Sequence, residues 1–231
     1  MLSEGWGYFQ ERRSIWKSSS SHCCTKSCCF DPIPTSLLKS SLNALVPTLA
    51  KIINLSLQTE IFQSEIKRAV VTPVLKKTSL DKEQLKNYPP VSNLSFISKI
   101  TEKVTLLQMS EHLDANTLRS PFQPAYRKGH STETALLRFR NDILRSLDKS
   151  RGVLLVLLDL SVAFTIDHDI LASRLHEGMG ITGSTLRWVE SYLSHRICQW
   201  GIIVCNEFLY GVPQGSVPGP ELLPSTLVSL T

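Results

Sequence analysis

The sequence predicts a mixed α/β (α+β) domain. Three observations predict it. Leucines and isoleucines recur at helical spacing in several stretches, short β-branched runs interrupt them, and one apolar run without alternation, Val153 to Leu158, stops at Asp159.

Residues 1–30 show no periodicity and include Ser18 to Ser21, which predicts a flexible leader. Order should begin near Asp31-Pro32-Ile33-Pro34, since proline suits the first turn of a helix. Leu37, Leu38, Leu42 and Leu45 then share a face, Pro47 restarts the pattern, and Leu49, Ile52, Ile53 and Leu57 continue it. Ala69 to Leu75 is β-branched and reads as a strand, with Pro73 pointing to an edge position. Thr78 to Asn93 reads as a polar loop. Phe96, Ile97, Ile100, Val104 and Leu107 mark an amphipathic helix running to about Leu113.

Phe122 to His130 is a second loop. Ser131 can cap the next helix, with Glu133 favourable in its first turn and Leu136, Phe139, Ile143 and Leu147 as its buried stripe. Val153 to Leu158 should be a strand covered on both faces. Two helices follow, about Asp169 to Glu177 (closed by Gly178 and Gly180) and Ser184 to about His195. Ile197 to Tyr210 reads as two short strands, and Gly211 to Gly215 as a turn.

The chain has 231 residues, 42% hydrophobic and 19% charged, enough for one sizeable core and unlike a disordered composition. Its formal charge of +5 is compatible with a nucleic-acid partner without demanding one. The start Met-Leu-Ser-Glu-Gly-Trp has no secretory pattern, and the longest aliphatic run is too short to cross a bilayer. The expectation is an intracellular chain, nuclear or cytoplasmic, with no membrane association. Six cysteines are present, and the adjacent pairs Cys23/Cys24 and Cys28/Cys29 lack zinc-knuckle spacing. They read as free thiols in a loose segment, with no disulfide framework.

A carboxylate at the end of a core strand is held rigidly where the sheet surfaces. Template-directed polymerisation needs such ligands, because it uses two divalent ions about 4 Å apart. Asp159 fits that description, and a strand-terminal Asp that opens a turn is the plainer alternative.

The surrounding residues carry a resemblance. Leu157-Leu158-Asp159-Leu160-Ser161-Val162-Ala163-Phe164, continued by Ile166-Asp167-His168-Asp169, resembles motif A of LINE-type (non-LTR) retrotransposon reverse transcriptases, D-L-S-x-A-F-D-x-(I/V)-D-H. Gly211-Val212-Pro213-Gln214-Gly215-Ser216-Val217 is similar to that family's motif B. Lys86-Asn87-Tyr88-Pro89-Pro90-Val91-Ser92-Asn93-Leu94 is similar to its fingers motif N-Y-R-P-(I/V)-S-N-L. Phe122-Gln123 with Tyr126-Arg127-Lys128-Gly129-His130-Ser131-Thr132-Glu133-Thr134-Ala135, and Asp31-Pro32-Ile33-Pro34, match two more. The likeness spans roughly residues 26–219 in the family's order.

The resemblance implies the fingers and an incomplete palm of a right-hand polymerase. A partial reverse transcriptase domain would cover 31–219 (fingers about 60–150, palm about 151–219), with a non-homologous tail at 220–231. It also implies roles. Asp159 would be the metal-binding catalytic carboxylate, helped by the Leu160 carbonyl, with Mg2+ as the cofactor. Phe164 would lie under the incoming sugar, with a plain core aromatic as the alternative. Gln214 and Gly215 would face template and incoming nucleotide, unless they form only a structural turn. Arg127 and Lys128 would face phosphates, or else make a solvated basic loop. The implied partners are an RNA template and a DNA primer. For Asp167, His168 and Asp169, helix capping is preferred to a metal cluster.

Four departures stand beside these matches. The family's motif C, (F/Y)-x-D-D, has no counterpart, since no Asp-Asp pair occurs in the 231 residues. Val217-Pro218-Gly219-Pro220 carries an extra proline, which opposes a continuous helix. Motif A is one residue short after Phe164, and Pro89 stands where the fingers motif has arginine. The expectation is a reverse-transcriptase fragment that does not polymerise alone. The alternatives are a non-catalytic nucleic-acid-binding module and a degraded copy with no protein function.

Overall fold

The computed structural model describes residues 28–89, 91–120, 123–125, 127, 129–156, 166–200, 203–207, 209–219 and 222. It shows a mixed α/β arrangement of six helices and one small sheet among these residues. The helices are α1 (Thr35–Ser40), α2 (Leu42–Thr59), α3 (Phe96–Ala115), α4 (Thr132–Asp148), α5 (His168–Met179) and α6 (Gly183–Leu193). The strands are β1 (Ala69–Val71), β2 (Ser92–Leu94), β3 (Ile197–Trp200) and β4 (Ile203–Glu207), in the order β2-β1-β3-β4.

β1 pairs antiparallel with β2, Ala69 opposite Leu94, and parallel with β3, Ala69 opposite Cys198. β3 and β4 form an antiparallel hairpin with an irregularity between Ile197 and Gln199. The edge position expected for Ala69 to Leu75 is therefore wrong. The strand stops at Val71, so Pro73 lies outside the ladder and does not have to donate to it. β2 begins at the end of the stretch read as loop and runs one residue past it. Three residues are too few for an alternation signal, and pairing to β1 makes the strand.

Asp31 fastens the turn at residues 28–31 to the start of α3. Its carboxylate accepts from the backbone N–H of Phe96 at 3.0 Å and of Cys28 at 3.3 Å. Cys28 is buried, and its thiol donates to the Asn93 carbonyl at 3.5 Å. This corrects the expectation of loose thiols for Cys28, which is packed against β2. Cys28, Cys29 and Cys198 are all free thiols.

The core lies where α2, α3, α5 and α6 meet. α2 presents Val46, Leu49, Ile53 and Leu57 at helical spacing, and Pro47 sits inside its second turn, where it removes one backbone bond without ending the helix. The break falls instead at Ser41, between α1 and α2. Phe62, Trp188 and Tyr192 form an aromatic cluster. Trp188 stacks on Tyr192 at 5.8 Å between centroids, and Phe62 meets both rings edge-on at 5.4 and 5.1 Å. The Trp188 indole N–H donates to Ser56 Oγ at 3.0 Å, so its one polar atom is satisfied.

α4 and the segment after it depart from expectation. The helix forms where predicted, but Leu136, Phe139 and Leu147 are exposed and no α4 residue is buried. Residues 153–156 form no strand and are exposed, Leu154 to 88%. A strand needs a neighbour for its backbone groups, and none of the four strands here pairs with this segment.

Since no residue of α4 is fully buried, its persistence leans on local terms. Its N-terminus is closed by a reciprocal cap: Ser131 Oγ accepts from the Thr134 N–H, and Thr134 Oγ1 accepts from the Ser131 N–H. Ser131 Oγ also donates to Glu133, which holds that carboxyl below its usual value. Ser131→Ala should cost the helix about 1 kcal/mol. First-turn amides of α4 should exchange roughly fivefold faster while the global unfolding midpoint stays put. Unchanged exchange, read by NMR, would count against a locally held helix.

Among the described residues, no helix is long and apolar enough to cross a membrane.

Candidate functional site

The site grows from the turn at Pro213–Ser216. The Ser216 N–H donates to the Pro213 carbonyl at 2.9 Å, and Gly215, third in the turn, has φ +101°. Positive φ at that place is what a type II turn demands. Gly215 also lies close to β2: a Cβ added there would come within 2.9 Å of the Ser92 carbonyl oxygen. The Ser92 N–H donates to the Gln214 carbonyl at 2.7 Å. The turn is thus laid against β2, with Gln214 half-buried and Gly215 exposed.

Its leading end is clamped to the segment that enters α5. The Gly211 N–H donates to the Ile166 carbonyl at 2.7 Å, and His168 Nε2 donates to the Gly211 carbonyl at 2.9 Å. Asp167 caps α5, accepting from the N–H of Asp169 and Ile170, as the sequence indicated. Gly180 closes the helix at φ 62°.

Its trailing end is held from below. The Val217 N–H donates to Glu102 Oε2 at 2.9 Å. Glu102 is fully buried on α3, and Oε1 lies 3.4 Å from both Arg196 Nη2 and Ser98 Oγ. Arg196 is itself buried. Its Nε donates to the Tyr192 carbonyl at 2.7 Å, and its guanidinium lies 3.9 Å from the Tyr192 ring centroid and 5.3 Å from that of Phe62. Burial pushes the Glu102 carboxyl up, with Arg196 and the Val217 N–H opposing. Burial also pushes the Tyr192 hydroxyl up.

Beyond Val217 the Leu222 N–H donates to the Pro218 carbonyl at 2.9 Å.

The residues singled out in the sequence are distributed unevenly. Gln214 and Gly215 sit together on the turn. Arg127 is half-buried on a separate loop, where its carbonyl accepts from the His130 N–H at 3.1 Å. Beside that loop a cavity of about 370 Å³ is lined by Pro124, His130, Thr134, Arg138, Phe139 and Asp142, among others. Asp159, Leu160, Phe164 and Lys128 lie outside the described residues. Among the described residues, no group of three His, Cys, Asp or Glu side chains could hold a metal ion, and the Asp167 carboxylate is committed to its cap.

Sequence reasoning missed Glu102 and Arg196. A signal was present: Ser98, Thr101, Glu102 and Thr105 follow helical spacing on α3, a polar stripe beside the apolar one, and all four are buried. A polar stripe ordinarily reads as solvated.

A model of the family described as "Reverse transcriptase (RNA-dependent DNA polymerase)" matches residues 74–229. A probable RNA-directed DNA polymerase from transposon BS of Drosophila melanogaster is 28% identical over 200 residues, covering 84% of this chain and 22% of that protein. A probable RNA-directed DNA polymerase from transposon X-element, also of Drosophila melanogaster, is 25% identical over 197 residues, covering 83% of this chain and 21% of that protein. The chain spans about a fifth of the length of these curated relatives. The matched span of residues 74–229 leads to one assignment: the chain belongs to the reverse transcriptase (RNA-dependent DNA polymerase) family.

Proposed function

We propose that the chain is the template- and nucleotide-facing portion of a non-LTR retrotransposon's RNA-directed DNA polymerase, with fingers at about 60–150 and an incomplete palm at about 151–219, and that these 231 residues do not polymerise DNA by themselves. The observation that carries the reading is the placement of the Gln214–Gly215 turn. Two segments distant in sequence meet the stretch Gly211 to Val217 that carries it: the Ser92 N–H donates to the Gln214 carbonyl, and the Ile166 carbonyl and the His168 ring both bond Gly211. Gly215 is exposed, and its Cβ position is turned against the Ser92 carbonyl of β2, so the opposite side of the turn is bare main chain that a flat base or sugar can approach.

In this reading Gln214 and Gly215 lie against template and incoming nucleotide. Arg127 and Lys128 meet phosphates, and Phe164 excludes a 2′-hydroxyl. Reverse transcriptase domains generally use divalent metal ions. Asp159 and the Leu160 carbonyl are the proposed ligands, and the sequence holds no Asp-Asp pair to supply the others. The chain's own contribution is thus to hold and orient an RNA template and DNA primer.

Primer extension on an RNA template, with Mg2+ or Mn2+, should show no incorporation for the chain or for Asp159→Ala. Robust Asp159-dependent extension would overturn the inactivity. A labelled RNA–DNA hybrid should nonetheless bind, with log affinity falling by about 0.7 to 0.9 per phosphate contacted for each decade of salt. Absence of binding, or binding indifferent to salt, would remove the nucleic-acid reading.

A further inference from the structure

We infer that Glu102 is a positioning residue for the Gln214–Gly215 turn: its buried carboxylate, reaching up from α3, holds the backbone at the point where the turn ends and so sets how far the turn projects. This rests on the reading above that the turn faces template and nucleotide.

The division of the carboxylate's contacts carries the inference. The shortest contact, 2.9 Å, is to the Val217 N–H, while the approaches to Arg196 and Ser98 are both 3.4 Å. A carboxylate placed to neutralise a buried arginine makes short, paired contacts of about 2.7 to 2.9 Å with it. Here Arg196 is fixed by other means, its Nε on the Tyr192 carbonyl and its plane over the Tyr192 ring. It serves as the counter-charge that lets the carboxylate stay in the interior, and the best-formed bond goes to the turn.

Burying an ion pair is costly, and apolar residues of similar volume often do as well for stability. What they cannot do is accept a hydrogen bond from Val217. The turn is therefore suspended between two anchors on the N-terminal half of the chain: the Ser92 N–H on the Gln214 carbonyl and Glu102 on the Val217 N–H. Glu102 and Val217 are 115 residues apart in sequence.

Amide exchange on the full chain, followed by NMR, tests this. In the wild type the Val217 amide should be as slow as core amides of α3, although it lies in an irregular segment; exchange at the rate of an open loop overturns the inference at once. In Glu102→Leu combined with Arg196→Leu, the Val217 and Ser92 amides should exchange on the order of tenfold faster, while sheet amides of Ala69 and Cys198 hold their rates. A folded double variant with unchanged Val217 protection sinks the idea. Glu102→Gln combined with Arg196→Leu keeps an oxygen acceptor without leaving a buried cation unpaired, and should restore protection to within about threefold of wild type, a rescue that a purely electrostatic role would not give. Should the double variant fail to fold, the wild-type rate decides the matter. Binding of a fluorescein-labelled RNA–DNA primer–template is measured in parallel and should weaken roughly tenfold in the double variant. If the wild type does not bind it, the functional reading falls, and the exchange result still judges the role of Glu102.

Discussion

Trp188→Ala should cost about 3 to 5 kcal/mol and leave the domain close to unfolding. A domain of this size has only about 5 to 15 kcal/mol of net stability. Trp188 is 2% exposed, stacks on Tyr192 and meets Phe62 edge-on, so its loss opens a void among rings that cannot collapse together. The change also leaves Ser56 Oγ without its indole donor. The cluster joins α2 and α6 and the segment at Phe62, whose N–H donates to Ser191 Oγ at 3.0 Å, so the damage spreads across all three. Urea unfolding reads the loss, with Leu154→Ala as the control at an exposed site, where about 0.5 kcal/mol or less is expected. A loss below about 1 kcal/mol for Trp188→Ala would mean that the core is not organised around this ring.

Gly215→Ala should both destabilise the chain and damage the proposed nucleic-acid site. Two costs act together. A φ of +101° is a region that L side chains rarely adopt, and the new Cβ would lie 2.9 Å from the Ser92 carbonyl oxygen. That oxygen belongs to the backbone of β2, so it cannot swing aside as a side chain does. Strain of this kind costs about 1 to 3 kcal/mol, which lowers the melting temperature by roughly 2 to 12 °C in a domain this large. Gly178→Ala is the matched control. It lies in α5, with open space around the added carbon, and there alanine should stabilise by about 0.4 to 1 kcal/mol. Hybrid binding should weaken for Gly215→Ala and not for Gly178→Ala. Equal melting temperatures for wild type and Gly215→Ala would show that the turn yields freely and does not hold a set position.

Local chemistry made much of the layout legible. Ser131 and Asp167 have side chains that accept from backbone N–H groups two or three residues on, and both cap the helices they precede. Gly180 follows the last turn of α5 in the left-handed conformation that only glycine adopts easily. These effects act within one turn of chain, so sequence spacing suffices to find them. The family itself was legible for a related reason: its motifs are runs of adjacent residues in a set order.

The errors arise where a segment's fate depends on a partner distant in sequence. The run from Val153 announces a demand for burial, but an apolar pattern cannot state whether a neighbouring strand is there to meet it, and residues 153–156 are exposed. The α4 stripe fails in the same way. Ala69 to Val71 was placed at an edge because proline follows, yet β2 and β3 flank the strand on both sides. Glu102 was not singled out in the sequence, because its partners Arg196 and Val217 lie 94 and 115 residues onward.

Taken alone, the amino-acid order determined most of the stretches that coil into helices, the caps at Ser131, Asp167 and Gly180, and which polymerase family the motifs come from, because those properties arise between neighbours along the chain. Tertiary structure alone decided which apolar faces are covered, which strand is central, and that a buried acid reaches the glycine turn. Those outcomes depend on burial and pairing between segments brought together only by folding, and no short window of sequence contains both partners.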